Sequence, residues 1–209
     1  MKAALVPAAL FLLLAGVQQG CRPALDAAER YEAWEAGMTL VFENPSLPDA
    51  APAQQRLHER YQKQVVTSEE NGAERRVGTQ FTTYQGQQVV SLVLKDGGVS
   101  LQDALGRGTL ILPQGFPERT SSWTSGGYRM KVLGRARWER DKPGFPATRP
   151  PEGIWVEGEP LGPGTRTRVF YLRDLGEVEK REWRDGKWVT TNLLVGFSFQ
   201  EIPRPKSPG

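Results

Sequence analysis

Three dipeptides, Asn71-Gly72, Asp96-Gly97 and Asp185-Gly186, constrain the fold of this chain more than any other feature. A two-residue hairpin loop needs positive φ at its centre, and Asn-Gly and Asp-Gly meet that need at small steric cost. Each dipeptide is flanked by strand-like sequence: 59–67 with 75–84, 87–95 with 99–101, and 177–183 with 188–199. In the last of these, Val189, Thr191, Leu193, Val195, Phe197 and Phe199 fall at every second position, the alternation of a strand that buries one face. With Asp185 and Gly186 at the turn centre, Trp183 and Trp188 oppose each other, and such a pair pins the register.

Further strands are expected at 38–42, 109–112, 128–138, 154–157 and 166–172, giving roughly nine to eleven strands joined mostly by short turns. The expected fold is mainly β: a curved antiparallel sheet, open or closed into a barrel-like form, with little helix. Loops are expected where prolines remove backbone donors, at 44–52 and 142–163. Segment 53–64 reads as a loop leading into a strand, and 26–34 as at most a helical turn or two.

The N-terminus carries an address. Lys2 precedes the apolar run of residues 8–17, too short to span a bilayer, and Cys21, the one cysteine of the chain, stands just behind it. This arrangement resembles a bacterial lipoprotein signal, with Gly20 fitting the cleavage box and Gln18 departing from its usual aliphatic residue. The expected organisation is a signal peptide over 1–20, an acylated Cys21 and tether over 21–30, one β-rich domain over 31–200, and a proline-rich tail over 201–209. With Cys21 acylated no thiol remains for a disulfide, so the domain must rely on its core. Arg22 is not the aspartate that retains lipoproteins at the inner membrane in enterobacterial systems, which by analogy favours the outer membrane, facing the periplasm.

Two segments carry a further resemblance. Trp34-Glu35-Ala36-Gly37 leading into Met38-Thr39-Leu40-Val41-Phe42, and Val169-Phe170-Tyr171-Leu172-Arg173-Asp174-Leu175-Gly176-Glu177-Val178, resemble a broad set of uncharacterised bacterial envelope lipoproteins. The resemblance implies a curved antiparallel sheet akin to the open half-barrels of lipoprotein carriers, and it brings no catalytic residues. Leu175 stands where that set favours valine.

The chemistry that remains is narrow. His58 is the one histidine, so histidine clusters and zinc fingers are excluded. No Gly-x-Ser-x-Gly accompanies it, and Ser121, Ser122 and Ser125 read as a polar turn. The glycine pairs 106/108 and 162/164 lack the rest of a phosphate-binding fingerprint. Carboxylates alone can hydrolyse glycosides when they face each other across a cleft, and Glu157, Glu159, Glu177, Glu179 and Glu182 are candidates without a distinguishing spacing. A formal net charge of +3 gives no electrostatic case for nucleic acid.

Two patterns stand out. Arg129, Lys131, Arg135 and Arg137 share one parity along a strand, with Gly134 offering a bulge between them, a candidate contact for lipid phosphates or an acidic partner. Six tryptophans serve either a core or a lipid-lined cavity. The expectation is a non-enzymatic envelope lipoprotein, needing no cofactor or metal, held on a membrane through Cys21, that binds or scaffolds a lipid or envelope protein. A carrier whose concave sheet encloses lipid or an apolar segment is the alternative, and a cell-wall glycan hydrolase the third reading. A carrier requires an unfilled apolar concavity, a scaffold a filled core, a hydrolase two opposed acids.

Overall fold

The computed structural model describes residues 28–48, 51–103, 105–138 and 151–200, and the backbone alone at Leu57 and His58. Cys21, the signal segment and the tail 201–209 lie outside the described residues. Twelve strands are present among the described residues: β1 (Met38–Glu43), β2 (Tyr61–Asn71), β3 (Glu74–Thr83), β4 (Gly86–Lys95), β5 (Gly98–Gln102), β6 (Gly108–Leu112), β7 (Ser122–Ser125), β8 (Tyr128–Arg137), β9 (Glu152–Pro160), β10 (Thr167–Leu172), β11 (Gly176–Arg184) and β12 (Lys187–Phe199). They form one antiparallel sheet in the order β6-β5-β4-β3-β2-β1-β12-β11-β10-β9-β8-β7. Two meanders of six strands, each contiguous in sequence, are thus joined where β1 pairs with β12.

The sheet curls until its edge strands β6 and β7 lie side by side, without a ladder between them. The Trp123 indole on β7 donates to the Ile111 carbonyl of β6 at 3.0 Å and stitches this seam. The result is the mainly β, nearly closed barrel expected, with little helix. One difference is β7 itself, where a polar turn was expected at Ser122 and Ser125. The turn lies one step later, at Gly126 and Gly127, whose φ values of 53° and 83° close a tight hairpin that pairs Trp123 with Met130. Strand β9 contains the expected strand 154–157 and extends it on both sides into the proline-rich stretch 142–163. Segment 53–64 starts as a short helix, α1 (Ala53–His58), before β2, with Pro52 placed where a missing N–H costs nothing and its carbonyl accepting from Arg56 N.

Bulges account for the other difference. Register shifts at Lys180/Arg181 and at Val41/Phe42 leave Thr191 and Val195 of β12 without direct partners. Each bulge inverts the side-chain parity that follows it. Between the two bulges Leu194, opposite Phe42, takes the inward position in place of Leu193, although both are buried, and beyond the second bulge Phe197 and Phe199 return to the inward phase opposite Leu40 and Met38, where they are 40% and 59% exposed near the end of the strand.

The interior is filled. Leu40, Phe42, Val65, Val77, Leu92, Val99, Leu112, Val156 and Leu194 belong to one core cluster. Two pieces from outside the sheet complete it. Phe116, in the β6–β7 connection, is fully buried against Tyr31, Trp123 and Tyr171, with ring centroids at 5.2, 5.7 and 6.0 Å. The segment before β1, including a 3-10 turn at Glu29–Tyr31, sinks Ala28, Tyr31, Ala33 and Trp34 into the same cluster. Among the described residues, packing thus already includes Ala28, inside the stretch expected to act as a tether. Two ion pairs hold this segment: Lys63 of β2 with Glu32, and Arg75 of β3 with Glu29 at 3.1 Å. Arg75 also lies 5.6 Å from the Trp34 ring centroid.

Candidate functional site

Antiparallel order places the N-terminal segment, the β2–β3, β4–β5 and β10–β11 turns and the end of β12 at one end of the barrel. The opposite end holds the β1–β2 connection and the β3–β4 and β11–β12 turns, and there the interior opens into a cleft of about 430 Å³. Its walls come from both meanders: Asn44, Glu59, Arg60, Tyr61 and Thr83 on one side, and Glu177, Lys180, Glu182, Arg184, Thr191 and Asn192 on the other.

Tyr61 is placed by stacking on its cross-strand neighbour Phe42, ring centroids 4.7 Å apart and nearly parallel. Its hydroxyl accepts a 2.7 Å hydrogen bond from Asn192 Nδ2, which also donates to Glu177 Oε1 at 3.3 Å. Burial pushes the Tyr61 phenol well above its ordinary range, with the Glu177 carboxylate adding to the effect. Burial also pushes the Glu177 carboxyl up, opposed by Lys180, by the Asn192 hydrogen bond and by Lys63. Nearer the rim, Glu182 accepts from Arg184 at 2.7 Å and lies 3.8 Å from Lys180, while Glu59 accepts from Asn44 at 3.2 Å. The Thr191 hydroxyl, at the bulge, is buried without a hydrogen-bond partner. Three acids and three bases with two amides make a charge-balanced polar cleft, suited to a small hydrogen-bonding molecule and not to an acyl chain.

The raised Glu177 has a measurable consequence. Its folded carboxyl favours the protonated form, so it contributes stability that is present below the ordinary glutamate range and lost as pH rises through the folded value. Glu177→Gln keeps an acceptor for Asn192 and removes the charge. It is expected to raise the thermal midpoint at pH 7 to 8 and to leave it unchanged near pH 4; an equal shift at both pH values would exclude this origin.

Of the five candidate carboxylates, Glu177 and Glu182 share the cleft. Glu179 is fully buried and bonded to Trp138 Nε1, Arg181 Nε and Thr190 Oγ1 at 3.1, 2.8 and 3.1 Å. Burial works against ionised Glu157, but Arg166 and Arg168, donating at 2.7 and 2.8 Å, outweigh it and hold its carboxyl low. Glu159 is exposed on β9. Among the described residues no three His, Cys, Asp or Glu side chains converge as metal ligands, and no helix is long and apolar enough to cross a membrane. Tyr61, Lys63, Glu32, Lys180 and Asn192 were not singled out from sequence. The signal that could have found Lys63 is a polar residue between Tyr61 and Val65, in phase with inward positions.

Arg129, Lys131, Arg135 and Arg137 are all exposed on β8, but not on the one face that their parity implied: Arg129 and Lys131 stand opposite Glu159 and Glu157, whereas beyond the bulge Arg135 stands opposite buried Ile154. A register shift at Val132/Gly134 confirms the bulge near Gly134. The tryptophans divide between packing and surface roles. Trp34 and Trp138 are buried, whereas Trp183 and Trp188 face each other across the β11–β12 hairpin at 5.2 Å and 66°. No family model matches the sequence, and no curated protein matches it. Solved structures share its architecture. A protein of Parabacteroides distasonis, provisionally described as a lipoprotein, superposes with a TM-score of 0.50 at 10% identity over 82% of this chain and 99% of its own. An exported protein of Bacteroides fragilis, also provisionally described and with a YmcC-like fold, gives 0.48 at 11% identity over 81% and 99%. The expected kinship in fold with uncharacterised bacterial lipoproteins therefore holds.

Proposed function

We propose that this chain is a bacterial envelope lipoprotein, anchored by acyl chains on Cys21 at the periplasmic side of the outer membrane, whose barrel binds or scaffolds without catalysis. The filled interior is the observation that carries this reading. Tyr31, Phe116 and Trp34 occupy the volume that a carrier would keep free for an acyl chain, and the remaining concavity is polar. A small polar ligand suits the cleft better than lipid does. Glu177 and Glu182 share that cleft, but Glu182 is committed to Arg184 and Lys180 and Glu177 to Asn192, an arrangement that suits binding better than hydrolysis. The ion pairs from Glu29 and Glu32 tie the described segment before β1 to the barrel, so an anchor at Cys21 would hold the whole domain through the chain.

Cys21→Ala in the full chain tests the anchor. Wild type is expected to incorporate labelled palmitate and to leave membranes only with detergent, whereas the variant carries no label and washes off in high salt. Detergent-dependent retention of the variant would overturn the lipid anchor.

A further inference from the structure

We infer that the polar cleft binds a small zwitterion, an amino acid or short peptide, with Glu177 receiving its ammonium group and the cations nearer the rim receiving its carboxylate. This deepens the proposed binding role and rests on it. Glu177 forms no ion pair with any described residue and accepts a single hydrogen bond, from Asn192 Nδ2 at 3.3 Å. A carboxylate has room for about four. Asn192 directs its amide nitrogen at both Tyr61 and Glu177. Because a carboxylate only accepts, that nitrogen must face Glu177, and the amide oxygen is left without a hydrogen-bond partner among the described residues. The Thr191 hydroxyl, also on the cleft wall, is buried and unpartnered. A carboxylate, an amide oxygen and a hydroxyl with unmet accepting capacity are the set that the three N–H donors of an ammonium require.

Other ligand classes fit less well. An anion would meet the Glu177 carboxylate head-on. Burial already disfavours that carboxylate's ionised form, and an ammonium in contact would offset the penalty. Tyr61 is the one aromatic side chain among the described lining residues. It is flanked by Phe42 of β1 at 4.7 Å and Phe81 of β3 at 6.3 Å, so it offers the cleft its hydroxyl and no open face on which a sugar ring could stack. A cleft of about 430 Å³ lies toward the lower end of small-molecule sites, roughly 300–1,000 Å³.

The rim explains why the ligand is a zwitterion and not a simple amine. Lys180 lies 3.8 Å from Glu182 and Arg60 3.5 Å from Glu43, looser contacts than the 2.7 Å pairing of Arg184 with Glu182. Both cations are partly exposed, and exchanging such partners for a ligand carboxylate costs little. A zwitterion also adds no net charge to a cleft whose acids and bases already balance. Around Glu177 itself stand Tyr61 and Lys63 of β2, Tyr171 of β10, Lys180 of its own strand, Asn192 of β12 and Glu32 of the segment before β1. Lys63 is held by Glu32, which leaves Lys180 as the cation free to turn toward the ligand.

The chain from residue 21 with Cys21→Ser, labelled with nitrogen-15, is titrated with alanyl-alanine at neutral pH. The side-chain amide signal of Asn192 is expected to move saturably. N-acetyl-alanyl-alanine, without the ammonium, and alaninamide, without the carboxylate, should each bind at least about tenfold more weakly. Glu177→Gln, which keeps the shape and an acceptor, should weaken alanyl-alanine binding by about tenfold or more, and Lys95→Gln, at the opposite end of the barrel, should not. Wild-type affinity should also fall as pH is lowered toward 4 and Glu177 takes up a proton. Circular dichroism verifies that both variants are folded. No movement of the Asn192 signal, equal binding of either blocked probe, unchanged affinity in Glu177→Gln, or a response to glucose in place of the dipeptide overturns the inference. Each of those results would leave the lipid anchor standing, and a failed palmitate label would leave the site standing. Free alanine released during a saturating titration would support the site and overturn the reading without catalysis.

Discussion

Glu32→Ala is expected to destabilise the domain by about 3–5 kcal/mol, the cost of leaving one member of a buried ion pair without its partner. Glu32 and Lys63 are 4% and 9% exposed, and the Glu32 carboxylate also meets its neighbour's backbone at Ala33 N, 3.1 Å away. The Glu32 side chain packs so closely on the β10–β11 turn that a Cβ on Gly176 would lie 2.6 Å from Oε1. Removing the carboxylate strands the Lys63 ammonium near a core that includes Leu40 and Val65, with Glu177 as its remaining counter-charge. In a domain of this size the change corresponds to a fall in Tm of roughly 10 °C. The combination of Glu32→Leu with Lys63→Met should recover most of the loss, because an apolar pair of similar volume needs no desolvation of charge. A single variant that unfolds at the wild-type urea midpoint would show that Lys63 reaches solvent when Glu32 is absent.

Phe116→Ala is expected to cost a comparable ~3–5 kcal/mol, from lost transfer energy and from the cavity left behind. Phe116 lies on a connection, not a strand, yet it touches rings from three separate parts of the chain: Tyr31, Trp123 and Tyr171. Its loss removes the edge-to-face contacts as well as the buried surface, and it loosens the seam that Trp123 stitches to Ile111. Phe116→Leu, closer in volume, should cost under about 1.5 kcal/mol. Urea unfolding followed by tryptophan emission reports both effects. Wild-type stability in the alanine variant would mean that the loop repacks and is no fixed part of the core.

Local signals reached as far as the hairpins. Asp96-Gly97 and Asp185-Gly186 adopt positive φ at both positions, 50° and 73°, and 48° and 77°. The Trp183–Trp188 pairing followed directly from the second. At Asn71-Gly72 the hairpin forms but is centred one residue later, with Asn71 pairing Glu74 and Gly72 at φ 62°. Parity was an unsafe guide on β8, where the bulge at Leu133 divides the basic residues between the two faces, and on β12, where two bulges shift it over Asn192 to Leu194. A bulge is one residue in one strand relative to its partner, and a single strand's pattern carries no record of the partner. The polar interior was hidden for a related reason. Lys63 and Asn192 are tolerable inside only because Glu32, Tyr61 and Glu177 arrive from distant segments, and that coincidence exists only after folding.

The pairing of β1 with β12 sets a time order on the domain. Every other ladder joins strands adjacent in sequence, so each meander can form hairpin by hairpin as the chain becomes available. The first strand, however, finds its second neighbour only when the last one arrives. A chain that emerges from its N-terminus must therefore wait with β1 half-paired, and its core open, until residues near Phe199 are free to fold. Losing the final strand would accordingly part the two meanders along their common border, and the C-terminus acts as the completion signal for the whole barrel.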